Sequence, residues 1–316
     1  MATSTVEATA EGYVHEVGFY ASDAEFADLV MPFTLEGLRT GEPVVFAYDD
    51  YKTSLLRQWL PETSAITYIT DTGPYATPTK ALGAWRGVAQ GHLAAGAARV
   101  RIAGNVPHPG YGTPYTGWDR YEAAVDRALG DLPVWAPCLY DVRIAPAEVL
   151  ERATSLHHHF RDRDGRSRAN DGYQRPTRLT DFLSAPPDPL EQTLPSLELK
   201  EPAPGPVRAA IHGLVAGRLG VDQADALVLA TSEAVTNAIV HGAAPVTVRA
   251  WVEDHRVVVA VHDSGEGPVD PLVGLRPVDA GSGSGRGLWI AHQLDLDVAL
   301  TVRDDGFTVR LSTNAT

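Results

Sequence analysis

At 316 residues, with 44% hydrophobic and 21% charged side chains, the chain has the composition of a globular protein and length for about two domains. Its formal net charge of −14 excludes a general affinity for nucleic acid or anionic membrane, since both partners are themselves anionic. A single cysteine, Cys138, excludes an internal disulfide and an all-thiolate zinc cage. No apolar run approaches the roughly 20 residues that span a bilayer, and the stretch before Tyr13 lacks the basic start and apolar core of a secretory signal. A cytoplasmic location is expected.

In chain order, residues 25–38 have helical periodicity and end at Gly41, and Pro43 leads into a short apolar strand. Residues 54–60 predict a short helix, 65–69 a strand, 79–96 a longer helix and 98–104 another strand. A Pro- and Gly-rich loop follows at 106–117, then a helix at 118–129, a strand at 134–142 and a last helix from Pro146. Strands alternating with helices imply an α/β domain with a mostly parallel sheet. His157, His158 and His159 are adjacent and point in different directions, so an exposed structural run is expected rather than a metal site. Tyr121 with Glu122, and Tyr140 with Asp141, fit buried polar networks as readily as ligand contacts. Residues 161–194 are charged, Pro-rich and without apolar periodicity, which reads as an inter-domain linker, with some docking onto a neighbour expected from its length.

Beyond Pro195 the pattern changes. SLELK at 196–200 alternates like a strand, Pro204 and Pro206 open a helix running to residue 219, and Asp222 is placed to N-cap the next one. Residues 246–252 and 256–263 form a hairpin, a helix is expected at 288–294, and two further strands close the chain around a turn at 303–306. Hairpins with helices clustered between them imply a two-layer α+β sandwich.

Three stretches of this second half carry chemistry. On the helix LVLATSEAVTNAIVH, Glu233 and Asn237 stand four apart and so project from one side. Together they could serve a hydrated Mg²⁺ carrying phosphates, with Glu233 free to take a proton, or they could be a solvated stripe. Asp263 ends an apolar strand and is followed by Gly265 and Gly267. A carboxylate there can accept a hydrogen bond from an exocyclic amine such as that of adenine, while glycines let the backbone approach a flat ring. The alternative is an ordinary turn. In GSGSGRGLWIA at 281–291 a glycine-rich loop runs into an apolar helix at Gly287 and Leu288, whose N-terminal amides suit phosphate, with Arg286 able to add a charge-assisted contact. The alternative is a flexible linker.

The order of these three signals resembles the ATP-binding fold of gyrase B subunits, Hsp90 chaperones, histidine kinases and MutL proteins, the GHKL or Bergerat fold. SEAVTNAIVHG, HDSGEGP and GRGLWIAHQLDLDV are similar in particular to the anti-sigma factors of the serine kinase type. HEVGFY, PFTLEGLRTGEPVVF, WDRYEAAVDRAL and CLYD resemble the MEDS sensory domain, which implies a RecA-like fold and an unknown small ligand. That family often carries an acidic residue where Asn105 follows Gly104 here. The combination resembles the RsbA family of anti-sigma regulatory proteins, with a sensory domain at 13–160, a linker at 161–194 and an ATPase domain at 195–312. The resemblance implies ATP and Mg²⁺ as cofactors, Glu233 as general base and Asn237 as metal ligand. It further implies Asp263, Gly265 and Gly267 at the adenine, Gly285, Arg286, Gly287 and Leu288 at the lid and phosphates, and a structural role for His241. The partners implied are a sigma factor and an anti-anti-sigma protein carrying the target serine. A gated binding module without kinase activity and an atypical histidine kinase remain open alternatives, as does a homodimer.

Overall fold

The computed structural model describes residues 12–69, 75, 77–275, 286–294 and 296–313. The chain forms two compact units that divide between Arg175 and Pro176, except that Thr77–Lys80 groups with the second. Among the described residues no helix is long and apolar enough to cross a membrane.

The first unit is built on β1 (Val14–Tyr20), β2 (Val44–Ala47), β3 (Ile66–Tyr68), β4 (Val100–Gly104), β5 (Val134–Asp141), β6 (His159–Arg161) and β7 (Ser167–Ala169), interleaved with α1 (Asp23–Thr40), α2 (Asp50–Trp59), α3 (Pro78–Ala94), α4 (Trp118–Leu129) and α5 (Ala147–Leu156). The strand order is β3-β2-β4-β5-β1-β6-β7, parallel from β3 to β6, with β7 antiparallel at the edge. Local chemistry explains the helix ends. The Ser22 hydroxyl caps α1 by accepting from the Glu25 amide, and Gly41, at φ 74°, terminates it through its N–H. The second helix starts a turn earlier than periodicity predicts, because Asp49 accepts from the Lys52 amide and so caps it.

The segment expected as a linker is divided between the two units. Its first residue, Arg161, is a core residue of the first, only 4% exposed. Its guanidinium bonds the Leu29 carbonyl at 3.0 Å and Glu16 Oε2 at 3.2 Å, and lies over the rings of Phe33 and Trp135. Glu16 is fully buried and also accepts from Trp135 Nε1 at 2.8 Å. The charged residues of 161–170 belong to the β6–β7 hairpin rather than to a linker.

The second unit is one antiparallel sheet, β11-β12-β10-β9-β8, formed by β8 (Leu197–Lys200), β9 (Thr247–Glu253), β10 (Arg256–Asp263), β11 (Leu296–Arg303) and β12 (Gly306–Thr313). On one face lie α6 (Pro204–Val215), α7 (Val221–His241) and α8 (Arg286–Gln293), with α7 packed against the other two helices and across β10 and β12. Alternation sorts β10 cleanly: Val257, Val259 and Val261 face the helices, and Val258 and Ala260 face the other way. Trp251 of β9 stands beside Val258 on that second face, and Leu190 packs onto them, so the docking expected of the linker takes the form of the segment of residues 176–194 lying over the sheet. Asp188 paired with Arg256, and Glu191 with Arg310 at 2.8 Å, hold it down. Two boundaries differ from the expectation: α6 ends at Val215, and α7 is preceded by Gly220 as its cap, with Asp222 in the first turn where its charge favours the helix dipole.

Replacing Arg161 with Met is expected to destabilise the first unit by about 3–5 kcal/mol, because the Glu16 carboxylate is left buried without its cation. Arg166→Met, in the same hairpin but with a largely exposed side chain, should cost under about 0.5 kcal/mol. Chemical denaturation of both variants checks the contrast; equal losses would remove Arg161 from the core account.

Candidate functional site

The second unit encloses a cavity of about 360 Å³ between α7 and the sheet, within the range of roughly 300–1,000 Å³ typical of small-molecule sites. Its wall is the stripe Ala234, Asn237, Ala238 and His241, spaced i, i+3, i+4, i+7 on α7. Its floor is two cross-strand pairs, Val261 with Val309 and Asp263 with Phe307, in register between β10 and β12. The segment after β10, from Gly267 through Val273, and Leu288 of α8 complete the rim. The lining is mainly apolar with a few convergent polar groups.

Asp263 is the most constrained of these. It is 3% exposed, and its Oδ1 accepts from the amides of Gly265 at 2.8 Å and Ala243 at 3.2 Å. Among the described residues Oδ2 has no partner, which leaves one carboxylate oxygen for a donor in the cavity. The close approach demands glycine at position 242: a Cβ there would lie 2.4 Å from the Asp263 carboxyl carbon. Gly267 has φ 79°, and a Cβ on it would meet the Phe307 ring at 2.9 Å, in the space of the floor.

Among the residues singled out in the sequence, Asn237, Asp263, Gly267 and Leu288 come together around the cavity. Gly265 stands just outside the lining and acts through its amide on Asp263. His241 lines the cavity at the end of α7. Glu233 is half-buried one turn before Asn237 and is not part of the lining. Arg286 and Gly287 form the first turn of α8, so the helix opens two residues before Leu288, while Gly285 lies outside the described residues.

The first unit holds polar groups that sequence reading misplaced. His157 is fully buried rather than part of an exposed run, with its Nε2 3.3 Å from Glu122 Oε2. His15 meets the same oxygen at 3.2 Å. Burial acts against the Glu122 carboxylate, but the imidazoles of His157 and His15, when protonated, outweigh it and hold its pKa well below the usual carboxylate range. Burial, aided by Glu122, pushes the Cys138 thiol up to about 12. The signal was present in part, since Glu122 and Asp126 stand four apart on one face of α4, but their partners are far away in the chain. Nearer the carboxyl ends of β2 and β4, Asn105 donates to Asp49 at 2.7 Å and accepts from Tyr111 at 3.1 Å, and Lys52 bonds both Asp49 and Tyr111.

Residues 199–313 match the histidine kinase-like ATPase domain, which makes the second unit an ATPase domain of that class and implies ATP binding. Residues 14–158 match the MEDS family, the methanogen/methylotroph DcmR sensory domain. The chain thus joins a MEDS sensory domain to a histidine kinase-like ATPase domain. Similar solved structures include the histidine kinase domain of the Erythrobacter litoralis blue-light activated histidine kinase, at 22% identity over 35% of this chain, with a TM-score of 0.24. A second structure of that kinase has 24% identity over 34% of this chain and the same TM-score of 0.24. The histidine kinase domain of the Escherichia coli osmosensor EnvZ has 18% identity over 40% of this chain, again at 0.24. The chain spans 58% and 39% of the two Erythrobacter chains and 92% of the EnvZ domain. No curated protein matches it.

Gly242→Ala is expected to destabilise the second unit by about 1–3 kcal/mol through overpacking against Asp263. Gly213→Ala on α6, where a Cβ meets nothing within 4 Å, should instead stabilise it by up to about 1 kcal/mol. Denaturant melts of the two variants read the difference in sign; a neutral Gly242→Ala would show that Asp263 is loosely held.

Proposed function

We propose that the protein is an ATP-dependent anti-sigma regulatory factor whose ATPase domain phosphorylates a serine or threonine of an anti-anti-sigma partner. Phosphorylation would release that partner and leave the protein free to hold its sigma factor, and a small ligand at the MEDS domain would bias the exchange. The observation that supports the nucleotide part is the buried Asp263 with one oxygen anchored by backbone amides and the other open to the cavity. An adenine amino group is a donor of the right kind for that oxygen. Asn237 would hold Mg²⁺, which offsets phosphate charge when bound. The amides opening α8, with Gly285, Arg286, Gly287 and Leu288, would face the phosphates. Glu233 would accept the proton of the attacking hydroxyl.

One observation favours a second reading, a nucleotide-gated binding module without phosphotransfer: Glu233 lies outside the cavity lining that contains Asn237. Nucleotide binding would then present a surface to a partner.

Asp263→Asn is expected to weaken binding of a fluorescent ATP analogue by about 10–100-fold, from loss of a charge-assisted hydrogen bond. Glu233→Ala should leave that binding intact and reduce phosphate transfer to the antagonist by about 100-fold or more. Unchanged transfer in Glu233→Ala would remove the residue from the base role. Wild-type protein that binds its partner in an ATP-dependent way, with no transfer, would favour the gated module.

A further inference from the structure

We propose that His15, Glu122, Cys138 and His157 form a binding site for one divalent transition-metal ion, zinc foremost, inside the MEDS domain. The four come from β1, α4, β5 and the residue after α5, and one donor atom from each lies within 4.8 Å of the others. The nearest separations are His15 Nε2 to Glu122 Oε2 at 3.2 Å, His15 Nε2 to Cys138 Sγ at 3.3 Å, His157 Nε2 to Glu122 Oε2 at 3.3 Å, and Cys138 Sγ to Glu122 Oε2 at 3.5 Å. In a tetrahedral site with bonds of about 2.0–2.3 Å the donors stand roughly 3.3–3.8 Å apart, because a tetrahedron's edge is about 1.63 times its centre-to-vertex distance. Four of the six donor separations are already close to that spacing, and the other two lie within 4.8 Å.

The second argument concerns lone pairs. The His157 ring is fixed through Nδ1, which lies 2.7 Å from the Ala153 carbonyl. A carbonyl only accepts, so Nδ1 carries the proton and Nε2 of the neutral ring presents a lone pair. That lone pair points into a fully buried region and lies against Glu122 Oε2 without hydrogen-bond geometry. Two acceptors facing each other in a dry interior repel unless a cation lies between them. The remaining anchors have the pattern of a metal site's outer layer. His15 Nδ1 is 3.1 Å from Asp126 Oδ1, and Glu122 Oε1 accepts from the Tyr140 hydroxyl at 2.8 Å. Each imidazole therefore has one nitrogen held by an oxygen acceptor and the other turned to the centre, as metal-ligating histidines do. Nitrogen, sulfur and oxygen donors in tetrahedral disposition suit zinc and its divalent neighbours better than magnesium or calcium. His15 and Cys138 also border a cavity of about 30 Å³, room for a water-sized ligand beside the ion. Binding would take Cys138 as thiolate and both histidines as neutral rings, with the displaced protons passing to solvent.

The test uses the whole protein. Elemental analysis after purification should find about one zinc-group ion per chain. Metal-free protein titrated with Co²⁺ should develop a thiolate-to-cobalt charge-transfer band that saturates at one equivalent and is displaced by Zn²⁺. The chain has a single cysteine, so that band can come from Cys138 alone and the wild type is sufficient evidence. Asp126→Asn, which keeps all four donors, should retain the band with cobalt affinity lowered about 10–100-fold, and Cys138→Ser should lose it. Folded wild-type protein without the band at saturating Co²⁺ overturns the proposal and leaves a proton-linked network of buried side chains. A stoichiometric ion that persists unchanged in folded His157→Gln overturns it as well, since the metal is then held elsewhere.

Discussion

The buried carboxylate of Asp263 is the constraint on which the second domain's architecture turns. A carboxylate in the interior costs several kcal/mol unless it is hydrogen-bonded, and here one oxygen takes both available backbone amides. Those amides come from Ala243, just past the end of α7, and from Gly265, in the turn after β10. Helix, strand and turn are thereby locked to a single group. Gly242 must lack a side chain to let α7 end there, and Gly306 in the last hairpin turn approaches the Asp263 carbonyl so closely that a Cβ would stand 2.0 Å from it. The cavity follows: once α7 and β10 are pinned at this end, the Val261–Val309 pair forms a floor that no helix side chain fills.

Much of this was readable in the chain. The helical period around Glu233, the hairpin at 247–263 and the Asp followed by two spaced glycines each have a local cause, and local causes are what sequence patterns report. What was not readable depends on pairing between distant segments. The lid at 176–194 is the clearest case. Its polarity reads as a linker and its length only as some docking, whereas the polar residues Asp188 and Glu191 are the clamps that bond Arg256 and Arg310. The clue lay in β10 itself: five apolar residues in succession, Val257 to Val261, cannot be satisfied by one covered face, so a strand of that kind demands a second cover. Leu190 supplies part of it.

The first domain shows the same division more sharply. Its strands and helices follow from alternation and caps, but its interior is unusually ionic. Glu16, Glu122, Arg101, Arg161, His15 and His157 are all buried. Arg101 and Arg161 both lie over the rings of Phe33 and Trp135, which pack the guanidinium groups by their faces while the edges find oxygen. Read one at a time, these residues do not reveal their partners. The pairing of His15 with Glu122, more than a hundred positions away, exists only once β1 and α4 are packed. A run of three histidines illustrates the point: His157 is fully buried and His158 is exposed on the next position, a difference set by the end of α5 rather than by composition.

The position of Glu233 follows from helix geometry. Four residues advance about 6 Å along the axis and turn about 40° past a full turn. The stripe facing the cavity runs from Ala234 to His241, and Asn237 lies at one edge of it. Stepping back four residues from that edge moves Glu233 a further 40° or so outward and one turn toward the N-terminus. The two residues share a side of α7 without sharing a wall. An amide at the edge can still reach a ligand inside, whereas a carboxylate beyond the edge is placed for whatever approaches the mouth.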